Sequence, residues 1–242
     1  MDITFWTKCN PEVKLEYSTK KYFGKHLYRL VMYAPGGRLI DGNQDITAAL
    51  ARRSAISKNM AANWWSSGRD QYLAVADAAF LYKLRELRND RSTLGIVFRL
   101  EEPRVQIYAS SLDQLQDIVQ TYFTGFEQYV QIIAGPASVE AEIALNAGNI
   151  IRKKDNGYRY KVTIRDGSYD FNTKQSILQY LTNLGDETVH VPTGCRQQLQ
   201  KSNQYIWNCY YFVNDISINS FVHIICPNLI SNSFELIVIP NK

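Results

Sequence analysis

The chain has 242 residues, of which 45% are hydrophobic and 12% aromatic, a composition typical of a folded globular protein and not of a disordered one. Its formal net charge of +4 is compatible with a nucleic-acid or acidic partner but is far below that of a histone-like protein. No uncharged apolar run approaches the ~18 residues of a membrane span, and the N-terminus lacks the regions of a signal peptide. We therefore expect a cytoplasmic protein that does not associate with a membrane.

The cysteine and histidine positions predict neither a disulfide framework nor a metal site. The four cysteines are Cys9, Cys195, Cys209 and Cys226. They show no C-x-x-C spacing and have no histidine at metal-ligand intervals, so we expect reduced thiols and no cofactor.

The first half of the chain predicts three helices interleaved with paired strands. The predicted elements, in chain order, are a possible extra strand at 13–17, a strand at 27–33, a helix that Asp45 caps, a helix at about 70–88, strands at 94–100 and 105–109, a helix after the Ser111–Gln114 capping box, and a strand at 129–133. Without the extra strand, and with the two consecutive helices counted as one helical segment, this is the order β-α-β-β-α-β of the ferredoxin-like motif.

The second half predicts the same order with shorter pieces. Its predicted elements are a strand at 158–165, a helix that Asn172 caps, strands at 188–191 and 206–213, a helix after Asn214 and Asp215, and a strand at 234–239. In both halves the first strand begins with Tyr-Arg (Tyr28-Arg29 and Tyr158-Arg159) and ends at glycine.

These patterns predict an α+β protein of tandem ferredoxin-like domains. The first domain, with an inserted helical pair, is expected at 1–135 and the second at 158–242. Residues 136–157 are expected to form a connecting helix, at about 137–151, and a charged linker.

Strand alternation predicts which residues share a sheet face, because successive side chains point to opposite sides. One apolar set is expected to pack on the helices. The opposite set carries the predicted nucleic-acid-binding residues, which are Arg29, Tyr33, Arg99, Arg104 and Tyr108 in the first half and Arg159, Lys161 and Arg165 in the second. His190 is expected to join the second group.

Arginine pairs with phosphate in a bidentate manner, and tyrosine offers a flat surface on which unstacked bases can stack. The sequence therefore predicts a non-enzymatic protein that binds single-stranded nucleic acid, with RNA slightly favoured over DNA. The alternative is a protein-interaction or regulatory module whose same faces contact a partner or a second copy. In that case the arginines would form ion pairs with Glu101, Glu102 or Glu235.

In its architecture the predicted basic and aromatic sheet resembles the RNA-recognition motif, although the RNP1 pattern of that family has no counterpart at 104–108 or 208–212. The tandem layout also resembles the repeat-associated RNA-processing proteins, some of which cut RNA with a histidine. His26, beside Lys25, is the candidate general base for such a metal-independent endoribonuclease. The loop at 227–233 lacks the glycines that those proteins carry before the last strand.

Two further motifs each have two interpretations. The turn from Pro35 to Arg38 is either a plain turn or a phosphate contact made by backbone amides with Arg38 nearby, so Arg38 completes the predicted binding set. Trp64-Trp65 is either a hydrophobic plug between helices or an exposed contact site.

Overall fold

The structure, a computed structural model, describes residues 3–52, 77–202 and 205–239. The chain divides into two compact units, Met1–Glu142 (unit 1) and Ile143–Lys242 (unit 2). Each is a mixed α+β unit with one five-stranded sheet.

Unit 1 has its elements in an order close to the predicted one. They are α1 (Thr4–Cys9), β1 (Lys14–Tyr17), β2 (Tyr28–Tyr33), a 3-10 helix (Gly37–Asp41), α2 (from residue 46 and described as far as 52), α3 (Ala78–Asp90), β3 (Val97–Glu101), β4 (Arg104–Ala109), α4 (Leu112–Tyr122), a 3-10 turn (Glu127–Tyr129) and β5 (Val130–Gly135). The sheet order is β1-β5-β2-β4-β3, in which β1 runs parallel to β5 and the other neighbours are antiparallel. The next helix, α5 (Val139–Asn146), contains the division between the units.

Unit 2 repeats this arrangement of strands. Its elements are β6 (Ile150–Arg152), β7 (Tyr160–Ile164), α6 (Phe171–Asn183), β8 (Val189–His190), α7 (Thr193–Gln200), β9 (Tyr210–Val213), α8 (Ile218–Ile225) and β10 (Ile230–Val238). The sheet order is β6-β10-β7-β9-β8, with β6 parallel to β10 and the other neighbours antiparallel. In both units, therefore, the first strand in the chain joins the sheet beside the last one.

One face of each sheet packs on helices. In unit 1 this face carries Leu30, Met32, Val105 and Ile107, all fully buried as the alternation predicts. In unit 2 the sheet residues Val162, Ile164, Tyr211 and Val213 form a core with apolar side chains of α6, α7 and α8. The opposite faces hold the predicted binding residues other than Arg38.

Two helix caps confirm local sequence predictions. The Asp45 side chain accepts a hydrogen bond from the amide of Ala48 (3.0 Å) at the start of α2. Ser111 Oγ accepts from the amide of Gln114 (3.2 Å), and Gln114 Oε1 accepts in return from the amide of Ser110 (3.2 Å).

The connection between the halves differs from its prediction. The helix expected at about 137–151 ends at Asn146, because Gly148 adopts a left-handed φ of 86° and breaks the helical path. Residues 150–152 then extend as β6 and pair with β10.

Three boundaries in unit 2 also differ. Asp170, and not Asn172, caps α6, since its carboxylate accepts from the amide of Thr173 (2.8 Å). The strand expected from 206 begins only at Tyr210, after Asn208 turns left-handed at φ 51°. The last strand begins at Ile230, so half of the expected loop at 227–233 belongs to the sheet.

Part of the predicted helical insertion, including Trp64-Trp65, lies outside the described residues. No helix within the described ranges is both long and apolar enough to cross a bilayer.

Candidate nucleic-acid interface

Five of the six predicted binding residues of unit 1 lie on one sheet face, and four of them pair directly across two strands. Arg29 pairs with Tyr108, and Tyr33 pairs with Arg104, across β2 and β4. Arg99 lies on the neighbouring strand β3. The structure thus brings five predicted residues onto the face opposite the core, but their individual surroundings differ.

Carboxylates of unit 1 neutralise two of these arginines. Arg29 Nη2 lies 2.5 Å from Glu16 Oε2, and the Arg29 side chain is only 22% exposed. Arg99 Nε lies 2.7 Å from Glu101 Oε1. A phosphate would have to displace Glu16 before it contacted the mostly buried Arg29 side chain, so Arg29 is not poised to bind one. The Arg99–Glu101 pair is exposed on both sides and is a weaker barrier to a phosphate.

Tyr108 is covered by aromatic side chains and is only 4% exposed. Tyr22 and Phe23, from the turn before β2, place their ring centroids 5.1 and 4.9 Å from that of Tyr108. The Tyr108 hydroxyl donates to Gln106 Oε1 (2.6 Å). Burial raises the pKa of Tyr108 and, nearby, of Tyr22. A base has no access to the face of the Tyr108 ring.

Arg38 lies away from this sheet face, in the 3-10 helix after β2. Its Nε is 3.2 Å from Glu102 Oε2, and the side chain is well exposed. The amides of Gly37 and Leu39 donate to the carbonyls of Ala34 (3.0 Å) and Gly36 (2.9 Å), so these two donors serve the turn itself.

His26 is enclosed, with 2% of its surface exposed. Burial lowers the pKa of its imidazole, and the charge of Lys25 lowers it further. Its Nδ1 is buried and makes no hydrogen bond within the described residues. An imidazole in this position has no route to a phosphodiester, and the structure gives no support to a nuclease role for it.

In unit 2 the face opposite the core carries aromatic rings as well as cations. Lys161, on the middle strand β7, lies in register with Phe212 of β9 and Phe234 of β10. The next residue on this face, Thr163, lies in register with Tyr210. Tyr210 and Phe212 alternate with the core residues Tyr211 and Val213 on β9, which is why the two rings share one face.

Four rings form a cluster on this face. Tyr158, His190 and Phe212 have ring centroids 5.9 to 6.2 Å apart, with interplanar angles from 20° to 29°. Tyr210 meets Phe212 edge to face at 5.4 Å. His190 is exposed, whereas the other three rings are half-buried. We call Tyr158, His190, Tyr210 and Phe212 the aromatic cluster.

Two cations lie over the aromatic cluster. Lys161 Nζ is 3.9 Å from the centroid of the Tyr210 ring, and the Arg152 guanidinium carbon is 5.4 Å from that of Phe212. A cation within about 6 Å of a ring centroid is attracted to the ring face. These contacts place positive charge beside the rings.

The other two predicted cations of unit 2 differ in their pairing. Arg159 Nε lies 3.0 Å from Glu235 Oε1, on a well-exposed side chain. Arg165 is exposed and has no carboxylate partner among the described residues. An exposed ion pair such as Arg159–Glu235 contributes little to stability, so a phosphate can replace the carboxylate readily.

Sequence reasoning missed Arg152, Tyr210 and Phe212 as site residues and placed Tyr158 on the core side. The alternation of Tyr210 and Phe212 with buried Tyr211 and Val213 was an available signal. Arg152 was not predictable, because it was assigned to a linker and not to a strand.

Within the described ranges, no group of histidine, cysteine and acidic side chains is arranged to hold a metal ion. The chain has no significant match among protein-family models, curated proteins or solved structures.

Proposed function

We propose that the two units are ferredoxin-like domains and that the chain binds single-stranded nucleic acid, preferably RNA, on the aromatic cluster of unit 2. The order of elements along the chain supports the fold assignment, since it is β-α-β-β-α-β apart from added elements such as α7 between β8 and β9. So does the sheet order, which places the first motif strand between the fourth and the third in both β5-β2-β4-β3 and β10-β7-β9-β8.

The observation that carries the functional proposal is the pair of rings on β9 with cations beside them. Tyr210 and Phe212 are two residues apart on one strand, and Lys161 and Arg152 lie over them. Bases can stack on such rings, which typically contributes about 1–3 kcal/mol per base, while lysine and arginine neutralise the flanking phosphates.

The flatness of the site favours a single strand over a duplex. In a duplex the base faces are already stacked on one another, so rings that lie on a sheet can stack only with bases that are splayed out. A sheet whose aromatic side chains stack bases is also how RNA-recognition motifs hold RNA, which is the reason for preferring RNA.

The proposal retains Arg159, Lys161 and Arg165 as phosphate contacts and adds the aromatic cluster with Arg152. It does not rest on unit 1, where Arg29 and Arg99 are paired with carboxylates and Tyr108 is covered.

The test compares Phe212→Ala with Phe171→Ala, which removes an exposed ring from α6, away from the sheet face. Binding of a fluorescently labelled single-stranded RNA, with DNA of the same sequence in parallel, is measured by anisotropy. We expect Phe212→Ala to raise the Kd about tenfold or more, because a stacking surface is lost, and Phe171→Ala to leave it unchanged. Circular dichroism confirms that both variants fold.

The proposal fails if the wild-type chain does not bind either oligonucleotide, or if Phe212→Ala binds as tightly as the wild type. Equal loss in both variants would also contradict the assigned site, since the effect would then not depend on the sheet face.

A protein-interaction module is the second candidate. It is favoured by α8, where Ile224 is 77% exposed and Phe221 is 46% exposed. Such a module has no reason to bind oligonucleotides, so the same titration separates the two functions.

A further inference from the structure

Unit 1 contains a pocket of about 440 Å³ beside the sheet face that its ion pairs occupy. It lies where β1, β5, β2 and β4 run side by side. Its lining residues are Asn10, Glu12, Lys14, Tyr33, Arg104, Gln128, Tyr129, Gln131 and Ile132. The volume lies within the range of small-molecule sites, and an inorganic ion would fill only a small part of it.

A β-bulge shapes the floor of this pocket. Val31 pairs with Ile132, but Met32 pairs with Val130, so Gln131 is an extra residue on β5. Val130 and Ile133 are both buried in the core, which turns Gln131 and Ile132 together to the pocket side. Bulges of this kind occur beside binding sites, where they redirect a side chain.

The redirected side chain has an unsatisfied polar atom. Gln131 Oε1 is buried and makes no hydrogen bond within the described part of the chain. Leaving a buried acceptor unpaired costs about 1–3 kcal/mol. A ligand that donates an N–H or O–H group at this point would satisfy it.

The pocket also has two cations without ion-pair partners. Arg104 and Lys14 are exposed, and neither makes an ion pair or a side-chain hydrogen bond within the described ranges. They stand on β4 and β1, three strand spacings or roughly 14 Å apart. Glu12 is the one carboxylate in the lining, which leaves a formal charge of +1 to attract an anion.

Flat apolar surface lies next to these charges. Tyr33 is the direct cross-strand partner of Arg104, and Tyr129 and Ile132 continue the wall. A guanidinium beside an aromatic ring can hold a phosphate and an attached ring system together.

We propose that this pocket binds a nucleoside 5′-monophosphate group, with the phosphate on Arg104, the base against Tyr33, and a base amino or ribose hydroxyl group donating to Gln131. A monophosphate carries a charge of about −2 at pH 7, which is closer to the small positive charge of the lining than that of a triphosphate. A triphosphate would carry more negative charge than Lys14 and Arg104 can neutralise beside Glu12. The site is separate from the aromatic cluster of unit 2.

The test is calorimetric titration of the full chain with AMP, GMP, CMP and UMP, with inorganic phosphate and the four nucleosides as further titrants. At least one monophosphate is expected to bind, and its nucleoside and phosphate alone to bind much more weakly. Arg104→Gln is expected to raise the Kd for the monophosphate about tenfold to hundredfold, because a charge-assisted hydrogen bond is lost. Lys20→Gln, an exposed charge outside the pocket lining, is expected to have no effect.

Gln131→Ala is a second variant. It should lower the affinity for the same monophosphate without changing the net charge of the protein. A 5′-phosphorylated dinucleotide, titrated beside the mononucleotide and an unphosphorylated dinucleotide, distinguishes a strand end from a free nucleotide as the source of the group. Phe212→Ala should leave the monophosphate affinity intact, so this proposal and the proposed function of unit 2 fail independently.

Three results would overturn the inference. They are the absence of binding by every monophosphate at millimolar concentration, equal affinity for inorganic phosphate alone, and unchanged affinity in folded Arg104→Gln.

Discussion

Arg29 and Lys161 occupy corresponding strands of the two sheets, and their immediate neighbours differ. In unit 1, Arg29 Nη2 lies 2.5 Å from Glu16 Oε2. The cross-strand partner of Arg29 on β4 is Tyr108, whose ring is covered. Lys161 has Phe212 and Phe234 as its direct neighbours and lies over Tyr210. Both cations lie beside an aromatic ring, and Arg29 is in addition paired with a carboxylate on a neighbouring strand.

His26 makes the stability of the chain depend on pH. Burial lowers the pKa of its imidazole below the ordinary value of 6.5, so below that pH the unfolded state binds more protons than the folded state. The free energy of unfolding is expected to fall as the pH drops from about 6.5 through the lowered pKa, and then to level off. Denaturant titrations of the wild type and of His26→Gln at pH 7 and pH 5 measure this loss.

The wild type is expected to lose more stability than His26→Gln between these two pH values. Because carboxylates titrate equally in both proteins, the difference isolates the imidazole. An equal loss of stability in the wild type and in His26→Gln would show that the folded chain accommodates a charged His26.

At the scale of elements, strands with strict alternation were predictable and irregular segments were not. The alternation of Leu30 and Met32 with Arg29 and Tyr33 identifies β2 from sequence alone, and Val31 between them is buried as well. In contrast, α7 has only Cys195 and Leu199 buried among polar residues, so its sequence gives little helical signal. The pairing of Arg29 with Glu16 depends on β1 joining β5, a long-range contact that no local pattern specifies.

The β-bulge in β5 predicts how the strand responds to loss of its extra residue. Deleting Gln131 is expected to restore regular pairing between β2 and β5, since Val130 would still face the core and Ile132 the pocket. The fold should persist by circular dichroism and thermal unfolding. The affinity for nucleoside monophosphates should fall, because the redirected acceptor is gone.

A shortened chain that folds and binds the monophosphate normally would show that the bulge has no role in the pocket. Gln131→Ala, which keeps the backbone length, separates the effect of the side chain from that of the bulge.

For the whole molecule, the small number of proposed phosphate contacts limits how strongly binding of nucleic acid can depend on salt. The proposed phosphate contacts are Arg152, Arg159, Lys161 and Arg165. Because each phosphate contact on a single strand contributes about −0.7, the slope of log K against log salt concentration is expected to be no steeper than about −3. Anisotropy titrations over a series of potassium chloride concentrations measure this slope.

A slope near zero would mean that the rings bind bases without phosphate contacts. A slope twice as steep would require cations elsewhere, most directly those of unit 1. Arg99→Gln, on unit 1, is the matched charge control and should leave the slope unchanged.

The parallel strands at one edge of each sheet also affect the tendency of the chain to aggregate at high concentration. An outer strand exposes unpaired amide and carbonyl groups on which another molecule can extend the sheet, the first step toward fibrils. Here β1 and β6 are only four and three residues long, and they carry Lys14, Glu16 and Arg152. Short, charged edge strands pair poorly with a strand of another molecule, so these two edges resist the growth of ordered aggregates.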